Sequence, residues 1–158
     1  AVVYHEPIIE GRACLTTVVC DSWALCLVNL HVVPQAPLNQ QRADLRRVLN
    51  AIDQFPEMMC ILAGDFNFLS GPDDKLDVGS GGPAHHVSDD AGNDRLYDYF
   101  VDTFVNFIEV DHGGFTHKTT RHGKAAQFSK LDRVFVRAPE IELLDRGVHA
   151  TLPYEVCG

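Results

Sequence analysis

The 158-residue chain lacks a long hydrophobic run, a low-complexity tract and an internal repeat. No stretch approaches the roughly 20 consecutive apolar residues that a membrane-spanning helix needs, so no membrane span is predicted. With 46% hydrophobic and 22% charged residues, the composition is that of a globular protein and excludes a disordered chain. No linker divides the sequence, and its length corresponds to one domain.

Paired cysteines are also missing, because none of the five cysteines has CxxC spacing. Four of them lie in apolar, strand-like runs, which favours buried, reduced thiols over disulfide bridges and favours an intracellular location, nuclear or cytoplasmic. The histidines at positions 85, 86, 112, 117 and 122 have no cysteine or acid at a zinc-binding spacing, so zinc is not predicted.

Positive charge is scarce and unevenly placed. Thirteen basic against twenty-two acidic residues give a net charge of −9, which opposes non-specific attraction to nucleic acid. Residues 115–137 are the exception, with six bases and one acid. This basic segment predicts a local surface that contacts phosphate groups.

Alternating apolar residues and turn signals predict the secondary structure. Residues 13–20 and 23–33 are expected to form paired strands, and residues 40–55 a helix capped by Asn39. The other expected elements are a loop over 70–93, a helix over 94–109, strands over 115–120 and 127–136, a helical turn over 139–145 and a strand over 147–152.

The stretch from Cys60 to Phe68 is expected to form the centre of the molecule. The apolar run from Met59 to Ala63 predicts a strand that is covered on both faces, and Gly64 ends this run. Asp65 and Asn67 then follow at the strand end, where a ligand can reach them. The charged oxygens of Asp65 suit Mg²⁺ or Ca²⁺, and Asn67 offers an uncharged acceptor and a donor. The alternative is a turn held by side-chain hydrogen bonds, which is common where Asp and Asn follow Gly.

Two further strands carry polar residues in apolar surroundings. Alternation places Asn29 and His31 on one face just before Pro34, as expected at the rim of a sheet; a satisfied core or edge histidine is the alternative. Asp132 lies among apolar residues in the segment 129–136, where a buried carboxylate needs a partner. That partner is either a structural cation such as Arg133 or an active-site group.

Together, NLHVVP at 29–34, GDFN at 64–67 and SKLDRVFV at 129–136 resemble the endonuclease/exonuclease/phosphatase superfamily. The resemblance is greatest to endonuclease domains of non-LTR retrotransposons. It implies a deoxyribonuclease-I-like α/β sandwich, in which two mostly antiparallel sheets pack together and helices flank them. The implied activity is Mg²⁺-dependent phosphodiester hydrolysis, with Mn²⁺ as a possible substitute and DNA as the substrate.

The resemblance also implies residue roles. His31 would act in proton transfer at the scissile phosphate, and Asp65 would orient or deprotonate the attacking water. Asn67 would bind phosphate and, with Asp65, form the metal region. Asp132 would support a histidine or the metal. Side chains expected to contact substrate phosphate are Asn29, Thr116, Ser129 and Arg133.

The sequence departs from the family pattern at both ends. An early Asn and a metal-binding Glu have no counterpart, since Glu6 and Glu10 lie in a different context, and a terminal Ser-Asp-His segment is not found. Residues 1–158 are therefore expected to be one partial domain, truncated at both ends, with little or no nuclease activity alone. Two alternatives stay open: a phosphodiesterase or phosphatase of the same superfamily that acts on inositol phosphates or sphingomyelin, and a non-catalytic remnant. Oligomeric state is not predicted.

Overall fold

The computed structural model describes residues 1–77, 82–83, 91–119 and 127–138. Within these ranges the chain forms ten strands, two α-helices, α1 (Leu38–Ile52) and α2 (Ala91–Thr103), and a 3-10 turn at Pro72–Asp74. The strands are β1 (Val2–Ile9), β2 (Ala13–Val19), β3 (Ala24–His31), β4 (Met59–Asp65), β5 (Lys75–Asp77), β6 (Gly82–Pro83), β7 (Ile108–Glu109), β8 (His117–Thr119), β9 (Gln127–Ser129) and β10 (Asp132–Arg137).

The strands form two sheets. Six are ordered β1-β2-β3-β4-β10-β7 and four are ordered β6-β5-β9-β8. Within the described ranges every pairing is antiparallel except β3 with β4, which are parallel and joined through α1. A parallel pair needs such a crossover because the chain must return to the same end of the sheet. The expected α/β fold with two mostly antiparallel sheets is confirmed.

The core lies between the six-stranded sheet and the two helices. Along β3, Cys26, Val28 and Leu30 are buried, while Leu27, Asn29 and His31 are exposed on the opposite face, which is called the outer face below. The same buried cluster includes three residues from α1 and three from the α2 region: Leu45, Val48, Ile52, Leu96, Phe100 and Phe104. Because one face is buried, a register slip would expose the whole apolar set, and so the pairing of β3 is strongly specified.

Two phenylalanines of the central stretch anchor it in the core. The Phe66 ring lies 5.0 Å from the Phe135 ring and 5.5 Å from the Phe100 ring, centroid to centroid. Phe68 packs against Phe66 at 5.3 Å. Such tilted and edge-on ring pairs stabilise beyond the area they bury. The chain that follows β4 is therefore held in the core by Phe66 and Phe68, the residues on either side of Asn67.

Gly64 is required by the close approach of β3 and β4. Its φ is +143°, and a Cβ atom added there would lie 1.9 Å from the backbone oxygen of Leu30. No other residue type fits this conformation or this gap. Glycine at this point lets the strand continue to Asp65 directly beside the end of β3.

Several expected boundaries differ from the structure. Helix α1 begins at Leu38 behind Pro37, and the Asn39 cap is wrong because the helix start has no side-chain hydrogen bond. The second helix ends at Thr103, earlier than expected, and Ile108–Glu109 instead pairs with β10 as strand β7. Strand β1 was not expected at all. The elements expected over 139–145 and 147–152, and the histidines at 85, 86 and 122, lie outside the described residues.

No helix in the described ranges is both long enough and apolar enough to span a membrane.

Candidate active site

Strand register brings His31, Asp65 and Asp132 into one row. In the parallel pair, His31 of β3 lies opposite Asp65 of β4, and in the antiparallel pair, Asp132 of β10 lies opposite the same Asp65. Opposed residues project from the same face of a sheet, and neighbouring strands lie roughly 5 Å apart. His31 and Asp132 are exposed and Asp65 is half-buried, so the row forms an open rim on the outer face.

Asn67 is fixed beside this rim by two hydrogen bonds. Its Nδ2 donates to the Val32 carbonyl over 2.7 Å, and its backbone N–H donates to Asp65 Oδ1 over 3.0 Å. Its φ of +50° is a left-handed conformation that asparagine tolerates better than most residues. The side-chain amide therefore ties the end of β3 to the chain that follows β4. The turn that the sequence offered as the alternative is present, and it orients Asp65.

The side chain of Thr116 fixes the backbone at Asp132. The Thr116 hydroxyl oxygen accepts hydrogen bonds from the N–H groups of Leu131 and Asp132, over 3.0 and 2.9 Å. The carbonyl of Asp132 lies 3.0 Å from Nε2 of His112, which donates when that nitrogen carries the proton. Contrary to the expectation of a buried carboxylate, Asp132 is exposed because it is the first residue of β10. Thr116 thus positions Asp132, which the sequence did not predict.

The predicted phosphate-binding role of Arg133 is wrong. Its side chain points to the core, opposite to that of Asp132, and only 1% of the residue is exposed. The guanidinium donates to Glu109 over 2.7 Å, forms an ion pair with Asp74 and lies 5.2 Å above the Phe68 ring. A phosphate cannot reach it, and it is not paired with Asp132.

Asp74 is held as a carboxylate by its neighbours. Burial alone would raise its pKa, but hydrogen bonds from the Ser70 hydroxyl and backbone and the charge of Arg133 outweigh burial and lower the pKa below its ordinary value. Asp74 lies beside the four-stranded sheet and Arg133 in the six-stranded sheet. Their ion pair therefore joins the two sheets directly behind the rim.

The other two predicted phosphate contacts lie at different places. Asn29 is exposed on the outer face two residues before His31, as the alternation predicted. Ser129 is half-buried in β9 of the four-stranded sheet, between Lys75 and His117, and its carbonyl accepts the Thr116 N–H over 3.0 Å. Their phosphate contacts stay predictions.

The expected basic surface is largely neutralised where the structure describes it. Lys130 pairs with Glu109 and Asp111 at 3.5 and 3.3 Å, and Arg137 pairs with Asp53 at 2.9 Å. These acids are distant in sequence, so counting charges along residues 115–137 did not reveal them.

The rim residues fit a hydrated Mg²⁺ ion. The described ranges contain no cluster of three or more His, Cys, Asp or Glu side chains that could hold a metal. Mg²⁺, however, keeps several waters and is commonly held by one or two carboxylates together with substrate phosphate. Asp65 and Asp132 supply two such carboxylates, and their opposed negative charges are destabilising unless a cation lies between them.

The two sheets with their flanking helices place the chain in the deoxyribonuclease-I-like class of α/β folds. The chain belongs to the Endonuclease/Exonuclease/phosphatase family, whose sequence profile matches residues 1–154. None of the curated proteins matches the sequence.

Similar solved structures share the fold. The endonuclease domain of TRAS1, a telomere-specific non-LTR retrotransposon, has a TM-score of 0.64 and 21% identity over 91% of this chain and 57% of that one. The 3′ phosphatase NExo from Neisseria, bound to a product DNA hairpin, has a TM-score of 0.55 and 15% identity over 85% and 57% of the two chains. Humanized D. rerio TDP2 has a TM-score of 0.50 and 18% identity over 87% and 51%. The chain spans a little over half the length of each.

Proposed function

We propose that this domain cleaves phosphodiester bonds in DNA with the help of Mg²⁺. The observation that carries the proposal is the row of His31, Asp65 and Asp132 set by the pairing of three strands. Phosphodiester hydrolysis needs an oriented water, relief of charge on the phosphoryl oxygens and a proton for the leaving oxygen. A bound Mg²⁺ would relieve that charge and assist the water.

The chain's own residues have separate tasks in this proposal. Asp65, oriented by the Asn67 backbone N–H, holds the attacking water and accepts its proton. His31, exposed at the other end of the row from Asp132, gives a proton to the phosphate or to the leaving oxygen. Asp132, whose backbone is fixed by Thr116, completes the acidic side of the rim.

DNA is proposed as the substrate because of the relatives and not because of the basic segment. The TRAS1 domain is described as an endonuclease, and NExo and D. rerio TDP2 have been seen with DNA products. In contrast, three cations of the basic segment, Lys130, Arg133 and Arg137, already pair with acids. An intracellular site of action stays a prediction, in keeping with four free thiols among the described residues.

The proposal is tested by nicking of supercoiled plasmid in Mg²⁺. The complete domain is expected to nick DNA, and Asp65→Asn is expected to lower the rate by at least about a hundredfold because the water loses its base. The 158-residue chain alone is expected to be slow or inactive. Asp53→Asn is the matched control, since it neutralises an exposed aspartate that pairs with Arg137 away from the rim.

Three outcomes would contradict the proposal. Nicking that persists in EDTA would contradict the proposed need for Mg²⁺. Nicking that Asp65→Asn leaves unchanged would contradict the assignment of the active site to the rim. Phosphate release from inositol phosphates by a complete domain that leaves DNA intact would point to the other branch of the superfamily.

A further inference from the structure

A second row of side chains, called the cysteine row below, crosses the same three strands as the rim at their other ends. Cys26 of β3 lies opposite Cys60 of β4, and Cys60 lies opposite Arg137 of β10. Each of these residues is five positions along its strand from the rim residue. Because five is an odd number, the two rows project from opposite faces of the sheet. The rim is therefore open on the outer face, whereas the two cysteines lie in the core.

The two thiols of the cysteine row are in contact with each other. Cys26 and Cys60 are both free and 0% exposed. The S–H of Cys60 donates a hydrogen bond to the sulfur of Cys26. Neighbouring strands lie about 4.8 Å apart, which falls within the range of roughly 4.4–6.8 Å between the Cα atoms that a disulfide joins. A disulfide between these two residues is therefore compatible with the strand pairing.

The other two described cysteines have no such partner. Cys14 lies opposite Asn29 in the sheet, and Cys20 follows the end of β2. Both are half-buried. Among the described cysteines only the two of the cysteine row are opposed, and so Cys14 and Cys20 serve as more accessible reference thiols.

The hydrogen bond between the two thiols makes them unequal. It lowers the pKa of Cys26, burial acts in the other direction, and the charge of Arg137 lowers that pKa further. The same hydrogen bond, together with burial, raises the pKa of Cys60. Because the thiolate is the nucleophile in sulfur chemistry, Cys26 is the thiol that attacks first and Cys60 is the one that stays protonated.

Arg137 connects the cysteine row to the end of helix α1. Its Nη2 donates to the carbonyls of Ile52 and Phe55 over 3.3 and 3.2 Å, and its Nη1 donates to Asp53 over 2.9 Å. Only 13% of the Arg137 side chain is exposed, against 53% for Asp53. The ion pair therefore extends from the cysteine row to the surface.

A pocket of about 180 Å³ opens at this ion pair, and both Asp53 and Arg137 line it. A peroxide molecule is far smaller than this volume. The larger described pocket, of about 430 Å³, contains no residue of the cysteine row and is lined by four acids: Asp73, Asp74, Glu109 and Asp111. The smaller pocket thus reaches the Arg137 end of the cysteine row.

We propose that Cys26 and Cys60 form a redox-active pair, which a small hydroperoxide such as hydrogen peroxide oxidises to a disulfide between β3 and β4. The sulfur of Cys26 attacks one peroxide oxygen, the O–O bond breaks, and the thiol proton leaves with the other oxygen as water, which makes Cys26 a sulfenic acid. The sulfur of Cys60 then attacks that of Cys26. The S–S bond forms, the S–O bond breaks, and the proton of Cys60 leaves with the oxygen as a second water. The two sulfurs together lose two electrons, and the peroxide gains them.

The disulfide would fix the strand pairing that also aligns the rim. It closes the chain from β3 through α1 to β4 into a loop, which restricts the unfolded chain. Oxidation is therefore expected to lower the equilibrium constant of unfolding by at least about tenfold. A thiol reductant such as glutathione reverses the bond by exchange, as a redox-sensing pair in a reducing compartment requires. The proposal depends on neither a metal nor a substrate.

The test is to oxidise the 158-residue chain with hydrogen peroxide and to follow the reaction over hours, because buried thiols react slowly. The remaining thiols are then blocked with N-ethylmaleimide in denaturant, and the chain is digested without reductant for mass spectrometry. We expect the peptides of Cys26 and Cys60 to be joined, with a mass lower than their sum by the two hydrogens lost. Urea denaturation of the oxidised chain should show a higher midpoint, which dithiothreitol returns to that of the untreated chain.

Two variants separate the core pair from the more accessible thiols. The double variant Cys14→Ser with Cys20→Ser leaves the cysteine row intact and is expected to keep both the joined peptides and the rise in the urea midpoint. Cys60→Ala removes the second thiol of the pair and is expected to abolish both. The wild type and the double variant decide the test even where Cys60→Ala does not fold, because neither changes the core.

Three results would overturn the proposal. The first is that Cys26 and Cys60 take up N-ethylmaleimide in full after the peroxide treatment. The second is bridging of all cysteine pairs in similar yield, which would show that the bonds form in unfolded chains. The third is a bridge between Cys26 and Cys60 that leaves the urea midpoint unchanged, because the bond would then not act on the folded strand pair.

Discussion

Replacing Gly64 with alanine is expected to destabilise the domain by about 4 kcal/mol or more, a large part of the total stability of a typical single domain. The added Cβ would lie 1.9 Å from the backbone oxygen of Leu30. The φ of Gly64 is also +143°, a conformation in which any residue other than glycine is strained. Relief would require β3 and β4 to separate, which would break the pairing of His31 with Asp65. Urea denaturation followed by circular dichroism measures the loss.

Gly113 is the matched control for Gly64. It also has a positive φ, +67°, but a Cβ there would have no atom within 4 Å. Gly113→Ala is therefore expected to cost only about 1 kcal/mol, the strain of a left-handed backbone. Equal losses for the two variants would show that conformation alone, and not the contact with β3, requires glycine at position 64.

Replacing Arg133 with methionine is expected to cost about 3 to 5 kcal/mol, the usual loss when one partner of a buried ion pair is removed. Methionine has similar length but leaves the carboxylates of Asp74 and Glu109 without their shared cation. The same urea measurement at neutral pH gives the free energy of unfolding. Asp53→Asn, which breaks the exposed pair with Arg137, is expected to cost less than about 1 kcal/mol.

The pH dependence of the free energy of unfolding measures how much the charge of Asp74 stabilises the fold. Because the folded pKa of Asp74 is lowered, its charged form stabilises the fold above the ordinary aspartate pKa of about 4, and this contribution is lost as pH falls through the lower folded value. Wild type should therefore be more stable than Asp74→Asn at neutral pH, and the two should converge in acid. A constant difference across this range would contradict a stabilising charge on Asp74.

The rim could be predicted largely from sequence because its residues follow strands with clear patterns. Alternation placed Asn29 and His31 on one face of β3, and Gly64 marked the end of the central apolar run. Asp132 stood out as a carboxylate among apolar residues, and the resemblance then favoured its active-site role over a structural ion pair. The sequence could not supply the register that aligns these residues, because pairing between β4 and β10 depends on contacts across more than sixty positions.

The orientation of Arg133 follows from that of Asp132. Side chains alternate along a strand, so placing Asp132 at the rim already directs Arg133 towards the core. The role of Thr116 as a support for Asp132 has no such signal, because a hydroxyl that accepts backbone N–H groups looks the same in sequence as one that contacts phosphate. Strand β1 was missed because its first six residues are exposed and Pro7 interrupts the pattern.

The most direct test of the rim is paramagnetic broadening of amide NMR signals by Mn²⁺ added to the 158-residue chain. Broadening is expected to centre on His31, Asp65 and Asp132, and to require a higher Mn²⁺ concentration in Asp65→Asn and in Asp132→Asn. Broadening centred on the acidic pocket at Asp73 and Asp111, or unaffected by both rim substitutions, would contradict the assignment of the metal-assisted site to the aligned ends of β3, β4 and β10.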